Sequence, residues 1–339
     1  MPRILTAILI CYLSLLQTAF TYAGSVKDEL SFDDTPLKEL LDTPDWFKLS
    51  FLDLNDSLKE AIDEGKKGLI IYFGRKDCPY CKAQLEGNWG YKDIVDYTQK
   101  HFNVIAIDVR AHRMVTDFNG KTLTEKDFAA QMKTNFTPSL LFYEKQGRLA
   151  LRLNGYRPPY QFRAALEYVA DAHYNKESFG QYLARAEKAF SFGQDELNEH
   201  NSFKPASYLF KRKKTGNKPL IIFFEQPKCH ACDIMHGGPM SDPSIISQLN
   251  NFDVVQLDST SNTKILTPSG QKTTAKKWAR QLDLDFSPTL IFFDPQGKEI
   301  IRASSVLRLY RMKKLLSYIL NKGYLTHPTF QSWRDKNKH

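Results

Sequence analysis

Two short apolar runs, residues 69–73 and 220–224, are the clearest hydrophobic features after the N-terminal segment. Each run has the length of a buried strand and leads directly into a helix-forming stretch. A second apolar run follows each of them and ends near Asp108 or Asp258. The pattern therefore predicts, twice, a strand, a helix and a second strand.

The downstream pattern is also repeated. Phe128 and Met132 in the first half, and Trp278 and Leu282 in the second, recur at the spacing of an amphipathic helix. A proline then opens a third apolar run, and a Gln-Gly turn leads into a fourth strand and a closing helix. This alternation predicts an α/β fold class, in which a central mixed sheet is flanked by helices.

The two halves are an internal duplication at an offset of 150 or 151 residues. GLIIYFGRKDCPYC aligns with PLIIFFEQPKCHAC, and FTPSLLFYEKQG aligns with FSPTLIFFDPQG. We predict two tandem domains, 46–175 and 203–325, joined by a linker or packing helix at 176–202. Residues 24–45 are interpreted as a loosely attached lead-in and 326–339 as a basic tail.

The N-terminus predicts export. A positive start, MPR, precedes an uncharged apolar run of 17 residues, and Thr21 and Ala23 supply small residues before Gly24. This is the layout of a cleavable signal peptide, here residues 1–23, and the alternative is an uncleaved anchor. For a Gram-negative bacterial protein, the expected location is the periplasm.

The charge distribution changes the expected partners. The chain has 47 Lys and Arg against 38 Asp and Glu, a net charge of +9. The basic residues are mostly scattered among acidic ones, whereas a nucleic-acid surface concentrates them beside aromatics. We therefore expect no nucleic-acid partner.

Removal of the leader, with Cys11, leaves four cysteines, which form two Cys-x-x-Cys pairs: Cys78 with Cys81, and Cys229 with Cys232. No cysteine is left over for a structural disulfide, and a chain of this length does not need one. We therefore expect these four cysteines to carry chemistry.

A strand that leads directly into a helix places the first cysteine at the helix N-terminus, where free N–H groups favour its thiolate. The second cysteine, one turn later, can resolve a mixed disulfide formed on the first. We predict redox-active pairs at Cys78–Cys81 and Cys229–Cys232, with no other cofactor.

A metal site is the competing interpretation. Cys229, Cys232, His230 and His236 offer ligands for copper or zinc. The two Cys-x-x-Cys pairs lie 151 residues apart, whereas zinc ribbons place theirs within about 20 residues. This spacing favours redox chemistry over metal binding.

Two prolines support the redox interpretation. Pro138 follows Thr137, Pro288 follows Ser287, and each proline opens a core strand. Proline cannot donate to a sheet ladder, but a cis X-Pro bond would turn the chain toward the thiols.

A strand, Cys-x-x-Cys, a helix, and Thr-Pro before an apolar strand resemble the thioredoxin superfamily. The first copy is most similar to SoxW-type periplasmic thioredoxins, on its CPYC, on FNGKTLTEKDFAAQMKTNFTPSLLFYEKQG and on RLNGYRPPYQFRAALEYV. The second copy resembles the family more weakly. It has Ser287-Pro288 for Thr-Pro, and Ser305-Val306 in place of Gly155-Tyr156.

The resemblance implies a role for each matching residue. Cys78 and Cys229 would attack, and Cys81 and Cys232 would resolve. The remaining implied residues are the cis prolines Pro138 and Pro288 in a substrate groove, Thr137 and Ser287 as backbone contacts to a partner peptide, and Pro79, Tyr80, His230 and Ala231 as residues that tune the motifs.

Two features depart from the family pattern. Thioredoxins usually carry a buried acid six residues before the first cysteine, where this chain has Tyr72 and Phe223. In strongly oxidising relatives a histidine adjoins the second cysteine, whereas His230 adjoins the first. The redox direction therefore stays open.

The expected function is an exported thiol-disulfide oxidoreductase that acts on cysteines of other proteins. Reduction of client disulfides is the favoured direction, with electrons supplied by a membrane thiol reductase. The alternatives are a disulfide oxidase or isomerase, and a copper or zinc carrier that uses the second pair and its histidines.

Overall fold

The computed structural model describes residues 30–187, 196–204, 208–212 and 218–337. The predicted signal peptide lies outside the described residues. Within the described part of the chain, no helix is long and apolar enough to cross a membrane.

The first unit contains twelve regular elements. They are α1 (Leu54–Asp63), β1 (Gly68–Gly74), α2 (Pro79–Lys82), α3 (Lys92–His101), β2 (Phe102–Asp108), β3 (Met114–Thr116), β4 (Thr122–Thr124), α4 (Glu125–Gln131), β5 (Ser139–Glu144), β6 (Leu149–Asn154), α5 (Pro159–Ala170) and α6 (Phe179–Glu187).

The second unit repeats this order from β7 onward. Its elements are β7 (Leu220–Glu225), α7 (His230–Gly237), α8 (Pro243–Leu249), β8 (Asp253–Asp258), β9 (Lys264–Leu266), β10 (Lys272–Thr274), α9 (Ala275–Gln281), β11 (Thr289–Phe293), β12 (Glu299–Ala303), α10 (Leu309–Leu320) and α11 (Phe330–Lys336).

Each unit is built on a four-stranded mixed sheet, in the order β2-β1-β5-β6 and β8-β7-β11-β12. β1 runs parallel to β2 and antiparallel to β5, and β7 has the equivalent neighbours. Every residue of β1 and β7 is buried, because apolar clusters cover both faces of each sheet. This explains the continuous apolar runs and confirms the predicted α/β class with two tandem units.

Some local expectations need correction. The segment before α1 is not a regular strand, although Lys48 N–H donates to the Val104 carbonyl at 2.8 Å and Asp53 forms a bridge with Thr116. The short hairpins β3–β4 and β9–β10 were not predicted, because three-residue strands are too short to show a period of two.

The lead-in is not loosely attached. Leu30 and Asp34 are buried, and the Phe32 ring packs edge-on against Tyr80 and Tyr156. Asp34 accepts the backbone N–H groups at the start of α10. The lead-in therefore ties the second unit to the first.

The interpretation of residues 326–339 as a basic tail is also wrong. Residues 330–336 form α11, which begins at a capping box between Thr329 and Ser332. Phe330 and Trp333 are buried against α10. Of the basic residues that suggested a tail, Arg334 and Lys336 lie in the last turn of this helix.

The two units pack against each other through equivalent segments. The Gly155 loop of the first unit faces its repeat partner, Ser305, and Val306 N–H approaches the Tyr156 carbonyl at 3.4 Å. The last helix of each unit, α6 or α11, contacts the loop that precedes the cis proline of the other unit. Phe330 N–H donates to Asn135 Oδ1, and Gly180 lies against the Leu284 carbonyl.

Gly155 has a positive φ of 89°, and a Cβ there would lie 2.4 Å from the Ser305 hydroxyl oxygen. We expect Gly155→Ala to lower the free energy of unfolding by about 2–4 kcal/mol, from backbone strain plus overpacking. Gly120→Ala is the matched control, because φ is 78° and nothing lies within 4 Å. It should cost only about 1 kcal/mol.

Urea unfolding measures both variants. Adding Ser305→Gly to Gly155→Ala should recover the overpacking part, because the Ser305 hydroxyl has no hydrogen-bond partner in the described part of the chain. Equal losses for Gly155→Ala and Gly120→Ala would contradict the packing of the two units described above.

Candidate functional site

The first cysteine pair lies at the start of a helix, as predicted. Cys78 is the N-cap of α2, and its Sγ accepts the Cys81 backbone N–H at 3.1 Å. Pro79 occupies the first helical position, where no N–H donor is needed. α2 continues into a π-helical turn, Ala83–Gly87. The sulfur therefore receives a backbone donor that the helix itself cannot use.

The predicted cis proline lies beside this sulfur. The Thr137–Pro138 bond is cis, which confirms the prediction. Cys78 Sγ lies 3.2 Å from the Thr137 hydroxyl oxygen and 3.5 Å from the Thr137 carbonyl oxygen. Ser139 Oγ donates to the Phe136 carbonyl at 2.7 Å and fixes the loop.

The two thiols differ in acidity. Burial opposes ionisation of Cys78, but the Cys81 thiol, the Arg75 and Arg311 guanidinium groups and the Thr137 hydroxyl lower its pKa overall. Burial and the neighbouring Cys78 raise the pKa of Cys81 well above its ordinary value. Such a pair can hold one thiolate and one thiol at neutral pH, as disulfide exchange requires.

Tyr72 supplies a polar group where the family's usual acid is missing. Its side chain hydrogen-bonds Cys81, and burial raises the Tyr72 pKa, so the hydroxyl stays protonated. A side chain at Gly74 would come within 2.4 Å of this hydroxyl. Tyr72 and Arg75 also line a cavity of 460 Å³ beside the lead-in.

The second pair repeats the geometry. Cys229 is the N-cap of α7 and is disulfide-bonded to Cys232. Its Sγ lies 3.4 Å from the Ser287 carbonyl oxygen, and the Ser287–Pro288 bond is cis, as predicted. In contrast, Cys78 and Cys81 are free thiols.

A buried acid lies in the second unit at a position that sequence reasoning missed. Glu225 aligns with Gly74 and is completely buried. Its carboxylate contacts His236 Nε2 at 2.9 Å and accepts from Gln256 Nε2 at 2.8 Å. The signal was present in the repeat, because a glutamate there replaces a glycine at the end of a core strand.

This pairing bears on the alternative metal set. His236 contacts Glu225, and His230 is exposed on the first turn of α7. Among the described residues, no group of three or more His, Cys, Asp or Glu side chains is arranged to hold a metal ion. The structure therefore does not assemble Cys229, Cys232, His230 and His236 into one site.

The first pair is covered by the second unit. Tyr80, from the CPYC motif, donates to Asp34 at 2.8 Å and accepts the Arg308 N–H at 2.8 Å. The Arg311 guanidinium stacks 3.3 Å above the Tyr80 ring and donates to the Thr137 carbonyl at 2.7 Å. Sequence reasoning missed Arg311 because nothing in the local pattern of α10 points to another unit.

The arrangement has known relatives. The model of the thioredoxin-like domain family matches residues 54–170 and 209–320. No match was found among curated protein sequences.

Three solved structures illustrate the similarity. A thioredoxin-fold protein from Helicobacter pylori is 25% identical, covering 43% of this chain and 89% of that chain, with a TM-score of 0.34. A disulphide isomerase from Xylella fastidiosa Temecula1 is 15% identical over 43% and 99% of the two chains, with a TM-score of 0.25. DsbH oxidoreductase is 13% identical over 42% and 93%, with a TM-score of 0.28.

The fold, with a close cysteine pair at the start of a helix in each unit, is the arrangement of thiol-disulfide oxidoreductases. Because the family model covers more than half of the sequence, the chain belongs to the thioredoxin-like domain family.

Proposed function

We propose that this protein is an exported thiol-disulfide oxidoreductase that reduces disulfides of other proteins, with Cys78 as its nucleophile. One observation carries the proposal. Cys78 Sγ accepts a helix N–H at 3.1 Å and lies 3.2 Å from the Thr137 hydroxyl, next to a cis proline. These contacts stabilise a thiolate at the position where a client cystine would meet it.

The reaction follows from the two acidities. The Cys78 thiolate attacks one sulfur of the client disulfide, so a mixed disulfide forms and the second client sulfur leaves as a thiolate that takes up a proton. Cys81 then loses its proton and attacks Cys78 Sγ, which releases the first client sulfur. Tyr72 lies beside Cys81 during this step. The client gains two electrons and the enzyme becomes a disulfide.

Turnover then requires a reductant for the Cys78–Cys81 disulfide, and we assign this role to a membrane thiol reductase. Export, and a periplasmic location in a Gram-negative cell, rest on the N-terminal sequence pattern. The preference for reduction rests on two dithiols placed in an oxidising compartment. The resemblance to SoxW-type thioredoxins supports the same assignment.

The second pair, Cys229–Cys232, has the same placement and can exchange electrons with the first pair or with clients. An oxidase would run the same steps in reverse. Equilibration with glutathione buffers distinguishes the two directions, because an oxidase has a clearly higher potential.

Replacement of the nucleophile tests the mechanism. We expect Cys78→Ser to lower the rate of insulin disulfide reduction at least about tenfold, because a hydroxyl is a far weaker nucleophile than a thiolate. Cys229→Ser is the matched variant in the second unit, and the ratio of the two rates assigns the activity between units. If both single variants and the double variant retain the wild-type rate, the proposed activity is wrong.

The acidity of Cys78 gives a pH prediction. In the reduced protein, the ultraviolet absorbance of its thiolate should persist as the pH falls well below the ordinary thiol value of about 8.5. Because the folded pKa is the lower one, this ionisation also contributes stability above the unfolded pKa, and that contribution is lost as the pH falls through the folded pKa.

The Cys78→Ser variant is the control for that absorbance, because it should lose the low-pH signal. Unfolding in urea should return the transition to the ordinary range. A transition in the native protein that matches that of the unfolded chain would contradict a stabilised thiolate.

Resolving-cysteine variants should capture clients. Cys81→Ala leaves Cys78 able to attack but removes the thiol that releases the client, so mixed disulfides should accumulate. Cys232→Ala tests the second unit in the same way. Non-reducing electrophoresis detects the adducts, and the Cys78→Ser/Cys81→Ala double variant should show none at the first site.

A further inference from the structure

We propose that Arg311 of the second unit is a positioning residue for the first dithiol: its guanidinium is the counterion of the Cys78 thiolate. The inference deepens the proposed function, because it names a group from the second unit that contributes to the reactivity of Cys78. It also assigns to the second unit a part in the chemistry of the first.

Arg311 is held in place by contacts with the first unit and the lead-in. It lies in the first turn of α10 and is only 1% exposed. Its backbone N–H donates to Asp34 at 2.7 Å, and its guanidinium stacks 3.3 Å above the Tyr80 ring. Its Nη2 donates to the Thr137 carbonyl at 2.7 Å. Two side-chain contacts and one backbone contact therefore fix the position of the charge.

The Thr137 carbonyl brings this charge to the sulfur. The oxygen that accepts from Arg311 Nη2 also lies 3.5 Å from Cys78 Sγ. Arg311 and Cys78 thus meet at one carbonyl group, with Tyr80 packed beneath the guanidinium.

The remaining donors of Arg311 have no partner. Nε and Nη1 are buried and make no hydrogen bond within the described ranges. A buried guanidinium is costly unless an opposite charge compensates it. The Asp34 carboxylate is already engaged by the Tyr80 hydroxyl and by the N–H groups of Tyr310 and Arg311. These hydrogen bonds come from neutral groups and not from the guanidinium, whereas the Cys78 sulfur shares the Thr137 carbonyl with it. This shared carbonyl makes the Cys78 thiolate the counterion that the geometry favours.

Other charged groups face Cys78, and they are placed differently. Arg75 Nε lies 2.8 Å from the Asp77 carboxylate, which also accepts from Arg110. Arg75 also lowers the pKa of Cys78, but it belongs to the first unit. Arg334 lies near the rings of Tyr310 and Phe330, and burial followed by the neighbouring arginines lowers its pKa to about 10. Cys81 and Tyr72 are the titratable groups on the inner side.

Comparison of the two repeats shows that the second unit supplies such an arginine to the first, but the first unit does not supply one to the second. The residue of the first unit that aligns with Arg311 is Gln161, which carries no charge. Arg157 of the first unit does cross to the second, but its Nη2 lies 3.0 Å from the Asp285 carboxylate and its charge is already paired. Among the described residues, the first dithiol receives from the other unit a guanidinium that donates to a carbonyl, whereas the arginine that crosses in the opposite direction is paired with a carboxylate.

The test is a thiolate titration of the reduced chain with Cys11→Ser, Cys229→Ser and Cys232→Ser, so that only Cys78 and Cys81 remain. Arg311→Gln introduces the residue that the fold accepts at the equivalent position 161. It should move the titration midpoint of Cys78 upward by about one pH unit or more, because an opposite charge is lost nearby. Arg311→Lys keeps a charge and should restore most of the shift.

Arg157→Gln is the matched control. It removes an arginine from the same interface and should weaken the contact between units without moving the midpoint. A midpoint unchanged in Arg311→Gln, or moved equally by Arg157→Gln, overturns the inference. If Arg311→Gln does not fold, Arg311→Lys decides the question. A Cys78 midpoint in Arg311→Lys as high as that of the urea-unfolded chain would also overturn the inference.

This titration is independent of the proposed reaction, because it needs no client. A protein that shows the predicted shift but does not reduce insulin would keep the counterion and lose the proposed function. A protein that reduces insulin, but whose Cys78 midpoint does not change when Arg311 is replaced, would keep the proposed function and contradict the counterion.

Discussion

The site depends on one buried sulfur, Cys78, whose surroundings favour its ionised form away from bulk water. Burial alone would protonate Cys78, and the surrounding donors must compensate for the lost hydration. The helix N–H, the Thr137 hydroxyl and the nearby guanidinium groups perform this task together. The short α2, the cis-proline loop and the contact between units each position one of these donors.

The contact between units also limits access. Cys78 is 1% exposed, and the Thr137 carbonyl, which the family resemblance assigns to a partner peptide, already accepts from Arg311. In the proposed reaction, access of a client to this sulfur would require the second unit or the lead-in to move aside. Cys229 is somewhat more open, at 8% exposed. The closed arrangement thus covers a sulfur whose pKa is lowered.

Much of this could be predicted from the sequence. The repeat, the buried central strands, the cysteines at helix starts and both cis bonds follow from local patterns. The packing of the lead-in and of α11 could not be read in this way, because it depends on surfaces that meet only in the folded chain. Nothing in the sequence around Asp34 or Arg311 predicts their contact, because it forms only when α10 packs over Tyr80 in the folded chain. The repeat did contain one signal for α11 that was not used: Phe179 aligns with Phe330, and each residue begins the last helix of its unit.

The meeting of Gly155 with Ser305 has a consequence for how such a protein can diverge. Two separate identical subunits that associate through a symmetric interface must present the same residue from both sides, so a change that suits one partner is imposed on the other. Joining both copies in one polypeptide removes that restriction. One half can keep a glycine while its sister gains a hydroxyl, and an arginine can be acquired by one half alone. Tandem fusion thereby lets two copies of one ancestral fold specialise as a matched, unequal pair.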